Sequence, residues 1–301
     1  MSEKSVLVTG ATGFVGRHLL TPLQERGFTV HAVARQPSTA PGTVTWHKVD
    51  LLDAAARRAL LRELRPSHLL HAAWYAEHGQ FWRAPENLDW LAASLDLVRL
   101  FTDHGGRRLV TVGSCAEYDW QRTGAERWRE TDPCRPATLY GRAKLALSEV
   151  AGAFCLEEGV SYASGRLFHM YGEDEPPARL VASIARALLA GEPARCSSGV
   201  MIRDLLDVRD AAAGLVALLV SPVTGVVNVA SGMPVTVAEV ARTLGRLAGK
   251  SELLALGSLP DRAGEPAYLV ADITRLRREV GFTPAIGLER GMRDALAWWG
   301  R

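Results

Sequence analysis

A tyrosine and a lysine lie one helical turn apart near the middle of the chain. Tyr140 and Lys144 stand in the stretch LYGRAKLALSE, which reads as the start of a helix, so both side chains would share one face. An ammonium near a phenol lowers the pKa of the phenol, which can then act as a general acid or base. The alternative is a helix with one aromatic residue and one solvated lysine. The rest of the sequence has to separate the two.

Three glycines near the N-terminus have the spacing of a phosphate-binding loop. Gly10, Gly13 and Gly16 lie in VLVTGATGFVG, between an apolar strand and a helix. Glycine lets the backbone turn tightly and approach a pyrophosphate, and the helix N-terminus supplies N–H donors and the positive end of a dipole. The alternative is a plain tight turn. The strand before it and the helix after it favour a dinucleotide site.

Apolar strands alternate with helices along the first half of the chain. Strands are predicted at SVLVTG, FTVHAVAR, HLLHAAW, RRLVTVGS and GVSYASGRLFHMYG. This alternation is typical of a parallel sheet covered by helices on both faces. We therefore predict an α/β fold, with a Rossmann-type doubly wound parallel sheet over residues 1–172. Residues 173–301 are predicted to form mainly a smaller α+β substrate domain, with some segments returning to the main sheet.

Composition narrows the class of protein. The chain has 301 residues, of which 48% are hydrophobic and 23% charged, and its net charge of +2 indicates neither a nucleic-acid partner nor an acidic tail. Its four cysteines form no CxxC pair and no zinc spacing, so we expect no disulfide, no metal site and a cytoplasmic location. The longest apolar run, AAAGLVALLV, is too short to span a membrane.

The glycine loop followed by the Tyr140–Lys144 pair resembles the short-chain dehydrogenase/reductase superfamily. Other stretches resemble its extended branch, the nucleotide-sugar epimerases, dehydratases and ketoreductases: VDLLD (49–53), HAAW (71–74), GSCAEY (113–118), RLFHMYG (166–172), RDLLDVRDAA (203–212), VVNVASG (226–232) and GFTPAIGLERGMRDALAWW (281–299). They span nearly the whole chain in the family's order. The resemblance implies an NAD(P)-dependent enzyme that acts on a nucleotide-diphosphate sugar.

The resemblance also implies the roles of three catalytic residues. Ser114 would hydrogen-bond the substrate oxygen beside Tyr140, which would exchange a proton with that oxygen. Lys144 would hold the nicotinamide ribose and lower the pKa of the phenol. The implied cofactor contacts, which include Tyr140 and Lys144, are Gly10, Thr12, Gly13, Phe14, Val15, Gly16, Arg35, Asp50, Leu51, Ala72, Ala73 and Phe168. For Asp50, a turn residue at a strand end is an equally good interpretation.

The end of the second strand indicates which dinucleotide is bound. An NAD enzyme places a carboxylate there to receive the ribose hydroxyls. Ala34 occupies the position at which similar epimerases carry Asp, and Arg35 follows it. A guanidinium there would bind a 2′-phosphate through forked, charge-assisted hydrogen bonds, whereas a solvated surface arginine is the alternative. The missing acid and the present base predict NADP(H) rather than NAD(H).

Four further residues are candidates for substrate contacts. Arg203 and Arg262 match positions at which similar enzymes hold pyrophosphate or ribose, and bidentate pairing with phosphate suits arginine. Arg179 falls where a nucleotide-contacting Asn is common, and a solvated or carboxylate-paired arginine is the stronger alternative there. His169 follows Phe168 where an Asn often touches the sugar, and a core histidine is an equal alternative.

Departures from the family pattern narrow the subclass. Similar dehydratases carry an Asp-Glu pair after the hydroxyl residue, but Cys115 and Ala116 stand here, which disfavours dehydration. A small buried thiol is the favoured interpretation of Cys115, and a salt-bridged or solvated carboxylate that of Glu117. Trp90 occupies the position of a family Asn, so a water relay through that Asn is in doubt. The loop WYAEHGQFW (74–82) would wall the apolar face of a deoxysugar, pack as an ordinary loop or contact a second subunit.

We therefore predict an NADPH-dependent 4-ketoreductase that acts on a nucleotide-activated 4-keto-6-deoxysugar. A nucleotide-sugar 4-epimerase is the alternative among enzymes, and a non-catalytic NADP-binding regulatory protein is the alternative from another class. Helices around residues 90–104 and 141–157 resemble those that build a four-helix dimer interface in this family, so a homodimer is expected.

Overall fold

A computed structural model of the protein describes residues 4–37, 43–261 and 264–301. Its strands are β1 (Ser5–Thr9), β2 (Thr29–Ala34), β3 (Thr45–Lys48), β4 (His68–His71), β5 (Arg108–Ser114), β6 (Ser161–Leu167), β7 (His169–Tyr171), β8 (Ala194–Arg195), β9 (Ile202–Asp207), β10 (Gly225–Val229), β11 (Pro234–Thr236), β12 (Leu254–Ala255) and β13 (Tyr268–Leu269). Its helices are α1 (Gly16–Glu25), α2 (Ala54–Leu64), α3 (Glu86–Asp103), α4 (Leu139–Glu157), α5 (Leu180–Ala190), α6 (Val208–Val220), α7 (Val237–Ala248), α8 (Thr274–Arg278) and α9 (Leu288–Trp299).

The main sheet has seven parallel strands in the order β10-β6-β5-β4-β1-β2-β3. The strand order reverses direction between β1 and β4. In an open parallel sheet this reversal leaves a crevice at the carboxyl ends of the strands, where ligands bind. The Rossmann-type doubly wound sheet predicted from the alternating pattern is thus confirmed.

Helices cover both faces of this sheet. Successive strand residues point to opposite faces, so Val6 and Val8 pack in one buried cluster with residues of α1 and α6, and Leu7 packs in another with residues of α3 and α4. Such strands are apolar throughout because neither face meets water. Helix α6 and strand β10 follow residue 172 in the chain, yet both belong to this layer structure.

A smaller second sheet lies in the C-terminal part of the chain. Strand β9 pairs with β11, β13 and β7, and helices α5, α7 and α9 pack into a third buried cluster with residues of β7, β9 and β11. The single strand predicted for GVSYASGRLFHMYG is wrong. The chain breaks at Phe168, so that β6 stays in the main sheet while β7 pairs with β9. Each helix in the described ranges is too short or not apolar enough to span a bilayer.

Candidate active site

A cleft of about 800 Å³ lies at the carboxyl ends of the parallel strands. The residues singled out from the sequence line it together: Gly10, Thr12, Gly13, Phe14, Val15, Gly16, Arg35, Asp50, Leu51, Ala72, Ala73, Ser114, Tyr140, Lys144, Phe168, His169, Arg179 and Arg203. Arg262 lies outside the described residues. Positions spread over most of the sequence therefore converge on one crevice. Many of them follow strands of the main sheet, whereas Tyr140 and Lys144 lie in α4 and Arg203 lies in β9.

The glycine loop leaves room for a pyrophosphate between β1 and α1. Gly10 has φ +68°, and a Cβ there would stand 2.7 Å from the backbone nitrogen of Ala73, so only glycine fits this close approach to the end of β4. The N–H of Gly13 donates to the carbonyl of Gly10 at 2.9 Å, which closes the turn. Helix α1 begins at Gly16 and directs its first N–H groups toward the cleft. These residues fit a dinucleotide.

The ends of β2 and β3 form the far wall of the cofactor half. Ala34 is buried, whereas Arg35 is exposed, and both line the cleft. Asp50 is exposed, and its Oδ1 accepts the N–H of Leu52 at 3.0 Å. This bond is the turn role that the sequence left open for Asp50, and the carboxylate still faces the cleft.

Helix α4 brings Tyr140 to Ser114. The hydroxyl of Thr138 accepts the N–H of Gly141 at 3.1 Å and so caps the helix start. A Cβ at Gly141 would overlap the carbonyl of Ala116, so glycine lets the helix rest directly on the short 3₁₀ turn that follows β5. Tyr140 thereby lies beside Ser114 in the cleft, where the Ser114 side chain acts on the pKa of the phenol.

The pKa of Tyr140 moves opposite to the sequence-based expectation. Burial raises it, and the Ser114 side chain opposes the rise without reversing it. The expectation failed because the phenol is desolvated between aromatic rings, and the ammonium lies 5.9 Å from the centroid of the Tyr140 ring.

Lys144 is itself strongly shifted by its surroundings. Its side chain is buried, its Nζ donates to the carbonyl of Val112 at 2.9 Å, and the Trp74 ring centroid lies 4.0 Å from Nζ. Burial lowers the pKa of Lys144 to about 7, and the charge of Glu117 opposes this. The charged form is therefore lost as the pH rises through neutrality.

The residues after Ser114 support the strand end and do not face a reaction. The carboxylate of Glu117 is buried, accepts the N–H of Ser114 at 2.7 Å and pairs with Arg166 at 2.7 Å. The salt-bridged interpretation of Glu117 is thus confirmed. Cys115 is buried, and burial raises its pKa to about 12, so its thiol stays protonated as expected of a small buried residue.

The aromatic loop closes over the start of α4. The carbonyl of Trp82 accepts the N–H of Tyr140 at 3.2 Å. The Phe81 and Trp82 rings are edge-on to the Tyr140 ring, with centroid distances of 4.8 and 5.8 Å. Trp82 also meets Trp120 at 5.8 Å, and all four rings line the cleft. The loop is therefore a wall of the cleft beside Tyr140.

Two of the predicted substrate arginines carry carboxylate partners. Arg179 lies 3.6 Å from Glu175, whose pKa burial raises to about 7. Arg203 is buried, pairs with Glu265 at 2.8 Å and donates to the carbonyl of Pro266 at 2.9 Å. His169 lies in β7, half-buried, and lines the same cleft.

Several cleft residues had no signal in the sequence. Trp120 and Glu175 lie in loops, whose paths no spacing rule predicts, and the carbonyl of Val112 lies in β5, where the sequence does not indicate a partner for Lys144. Asn87 was also missed, although it is completely buried and accepts the indole N–H of Trp74. A polar residue at an otherwise apolar helix position, close to the aromatic loop, was the available clue.

The fold and the cleft define a nucleotide-sugar-modifying enzyme with a nicotinamide cofactor. The chain belongs to the NAD dependent epimerase/dehydratase family, whose model matches residues 6–230. The resemblance to the extended short-chain dehydrogenases/reductases is thereby confirmed.

Similar proteins match nearly the whole chain. A dTDP-6-deoxy-L-talose 4-dehydrogenase (NAD(P)(+)) of Kitasatospora kifunensis is 30% identical, with 96% of this chain and 93% of that protein covered. A dTDP-glucose 4,6-dehydratase of Streptomyces griseus is 26% identical, with coverages of 98% and 93%. The UDP-glucose 4-epimerase of Thermus thermophilus in complex with NAD is 27% identical, with a TM-score of 0.87 and 98% of both chains covered.

Proposed function

We propose that this protein catalyses the NADPH-dependent reduction of the 4-keto group of a nucleotide-activated 4-keto-6-deoxysugar in deoxysugar biosynthesis. The residues at the end of β2 are the observation that supports net reduction as the direction of the reaction. Ala34 offers no carboxylate to the adenosine ribose, and Arg35 stands exposed at the cleft. A guanidinium there suits the 2′-phosphate of NADPH, the cofactor that cells keep for net reduction.

The catalytic groups of the chain suit a reduction. The nicotinamide, when bound, supplies the hydride. Tyr140 donates its phenolic proton to the substrate oxygen, and Ser114 donates a hydrogen bond to the same oxygen, which stabilises the negative charge that develops there. Because burial raises the pKa of Tyr140, the phenol is protonated at neutral pH, as a proton donor must be. Lys144 holds the nicotinamide ribose.

The aromatic wall supports a 6-deoxy substrate. Phe81, Trp82 and Trp120 present ring surface beside Tyr140, so a substituent next to the reacting carbon meets carbon atoms there. A methyl group gains from contact with these rings, whereas a carboxylate placed against them loses water. The name of the relative dTDP-6-deoxy-L-talose 4-dehydrogenase likewise indicates a 6-deoxysugar substrate and redox chemistry at carbon 4.

The remaining contacts are proposed with the reaction. Arg179, Arg203 and Arg262 would bind the diphosphate or ribose of the substrate, and His169 the sugar. Because both Nη groups of Arg203 already donate their N–H bonds within the protein, Arg203 would offer the substrate only its Nε–H. Asp50, Leu51, Ala72, Ala73 and Phe168 would contact the cofactor.

A cytoplasmic homodimer is proposed for the assembly. Helices α3 and α4 pack against each other and carry the exposed apolar side chains of Leu88, Val150 and Leu156, of which Leu156 is 81% exposed. Apolar groups on neighbouring surface helices favour burial against a second subunit.

A nucleotide-sugar 4-epimerase is the second candidate. The relative from Thermus thermophilus is a UDP-glucose 4-epimerase with the same fold over 98% of the chain. An epimerase would use the same hydroxyl, phenol and lysine in both directions and would retain its cofactor.

Turnover measurements separate these candidates. Purified protein is incubated with NADPH or NADH and with nucleotide 4-ketosugars whose carbon 5 carries a methyl, hydroxymethyl or carboxylate group, and the nicotinamide absorbance is followed. We expect one NADPH consumed per ketosugar. The methyl compound should be preferred over the hydroxymethyl compound by about 10- to 100-fold, since an apolar pocket rejects an added hydroxyl only moderately. Rejection of the carboxylate should be stronger.

Other outcomes would contradict the proposal in distinct ways. Interconversion of nucleotide 4-hydroxysugars without net change in the cofactor would identify the epimerase. Tight NADPH binding without turnover of any sugar would support a non-catalytic protein.

A further inference from the structure

The buried ammonium of Lys144 rests on an indole ring. Lys144 is 5% exposed, and its Nζ lies 4.0 Å from the centroid of the Trp74 ring. The face of an indole carries negative potential, so a cation at this distance is attracted to it, most strongly where water is excluded. Nζ also donates to the carbonyl of Val112 at 2.9 Å and lies 5.9 Å from the centroid of the Tyr140 ring. A ring and a carbonyl thus replace most of the water that the ammonium has lost.

Asn87 fixes the orientation of this ring. The indole N–H of Trp74 donates to Oδ1 of Asn87 at 2.9 Å. The Nδ2 group of Asn87 donates to the carbonyls of Phe81 at 2.7 Å and Ala84 at 2.8 Å. Asn87 is completely buried, and with these three bonds its amide can take only one orientation. The indole is therefore tethered at its edge while its face meets the lysine.

Few charged groups near Lys144 affect its ammonium besides the Trp74 ring. Glu117, in the turn after β5, favours the ammonium, but Arg166 pairs with it. His71 of β4 is neutral, because burial, together with the nearby charge of Lys144, lowers its pKa to about 3. On the same helix, Tyr140 is protonated since burial raises its pKa. Asn87 and Trp90, on the neighbouring helix α3, carry no charge.

We propose that Trp74 is a positioning residue that holds the Lys144 ammonium in place and in its charged form, and that Asn87 fixes Trp74 for this task. The inference rests on the part of the proposed function that assigns Lys144 to the cofactor ribose, and it does not depend on which sugar is reduced. It assigns a task to the first residue of the aromatic loop, whereas the wall beside Tyr140 is built by the end of that loop.

The consequence is a shift in the pH dependence of cofactor binding. If the charged Lys144 binds the cofactor, cofactor affinity falls as the pH rises above the pKa of Lys144 in the free protein. Burial lowers this pKa to about 7. Without the ring the ammonium is less stable, so the fall begins at lower pH. A cation–π contact of ordinary strength corresponds to a shift of about half to one pH unit.

The test is a fluorescence titration of NADH and NADPH binding between pH 5.5 and 9. It compares the wild type with Trp74→Leu, Trp74→Phe and Trp298→Leu. The last is a matched control, since the Trp298 ring also carries a cation, Arg301 at 4.8 Å, outside the cleft. Each variant is compared with the wild type for the same cofactor, so that titration of the cofactor itself cancels. Circular dichroism establishes that each variant is folded.

The proposal expects Trp74→Leu to move the midpoint down by about half to one unit, Trp74→Phe to move it less, and Trp298→Leu to leave it unchanged. An unmoved midpoint in Trp74→Leu would overturn it, as would equal shifts in the Leu and Phe variants. If Trp74→Leu does not fold, the Phe variant decides, since it must shift the midpoint downward. A shift found in a protein that reduces no ketosugar would reject the proposed function and retain this inference.

Discussion

The two ends of the cleft are built in different ways. At the cofactor end, the backbone makes the site: the glycine loop, the ends of β1, β2 and β4, and the start of α1. At the sugar end, side chains make the site: aromatic rings contact one another, and Arg179 pairs with Glu175. Backbone sites tolerate many side chains but depend on glycine and on the sheet. The sugar end can change its specificity by exchange of single side chains while the fold stays the same.

Tyr140 stands where the two ends meet, and its removal has the largest expected effect. Tyr140→Phe keeps the ring contacts with Phe81 and Trp82 but loses the transferable proton. We expect kcat for ketosugar reduction to fall by about 10²- to 10⁴-fold, with NADPH affinity changed only a few-fold. Steady-state kinetics and cofactor titration measure the two quantities separately.

Tyr75→Phe is the control, because Tyr75 lies in the aromatic loop that contacts Tyr140 but does not line the cleft. A Tyr140→Phe enzyme that works at the wild-type rate would remove the phenol from the mechanism. A parallel loss of NADPH binding would mean that Tyr140 belongs to the cofactor end and not to the junction.

Arg35 tests the cofactor end alone. Arg35→Ser removes the exposed guanidinium after β2 without touching the glycine loop. Loss of a charge-assisted pair with the 2′-phosphate should weaken NADPH binding by about 10- to 100-fold and leave NADH binding unchanged. The measurement is the ratio of the two dissociation constants.

The exposed Arg26 at the end of α1 lies away from the cleft and provides the matched control, Arg26→Ser. Equal effects of Arg35→Ser on the binding of both cofactors would mean that Arg35 does not bind the 2′-phosphate and is a solvated surface arginine, the alternative that the sequence allowed.

The sequence predicted the cofactor end better than the sugar end, for a physical reason. Gly10, Gly13 and Gly16 have a fixed spacing because a strand, a turn and a helix follow each other without interruption, so the geometry is local. The break at Phe168, which moves β7 into the second sheet, depends on pairing with β9 more than thirty residues later. No local pattern encodes such a pairing.

The direction of the Tyr140 pKa shift could not be predicted from the sequence either. The spacing of Tyr140 and Lys144 correctly placed both in one cleft, but the expected lowering of the phenol pKa assumed that the ammonium would dominate. Desolvation dominates, and the rings of Phe81 and Trp82, which contact Tyr140, have no sequence spacing that connects them to it. The sign of a pKa shift follows from the whole environment of a group.

A contact between the two ends has the smallest expected effect. Arg17, directly after the glycine loop, donates to the carbonyl of Thr12 at 2.7 Å and forms an ion pair with Asp174 of the segment that leads to Arg179. His18 bonds the carbonyl of Glu173 at 3.3 Å. These contacts hold the segment that contains Glu173 and Asp174 against the residues that follow the glycine loop. They should therefore slow the release of a bound cofactor.

Asp174→Asn isolates the charge in these contacts. Asp174 has φ +62°, and Asn accepts this left-handed conformation as readily as Asp, so the backbone should stay in place. Because Arg17 is 42% exposed, the pair is weak, and we expect NADPH to dissociate only about two- to fivefold faster at low salt. Stopped-flow release should give the same rate for the variant and the wild type at high salt, where the pair is screened. A difference that persists in salt would mean that Asp174 acts through the shape of the segment. Because a reductase must exchange its cofactor at every turnover and an epimerase need not, a faster kcat in the variant would further show that cofactor release slowed by these contacts limits the proposed reaction.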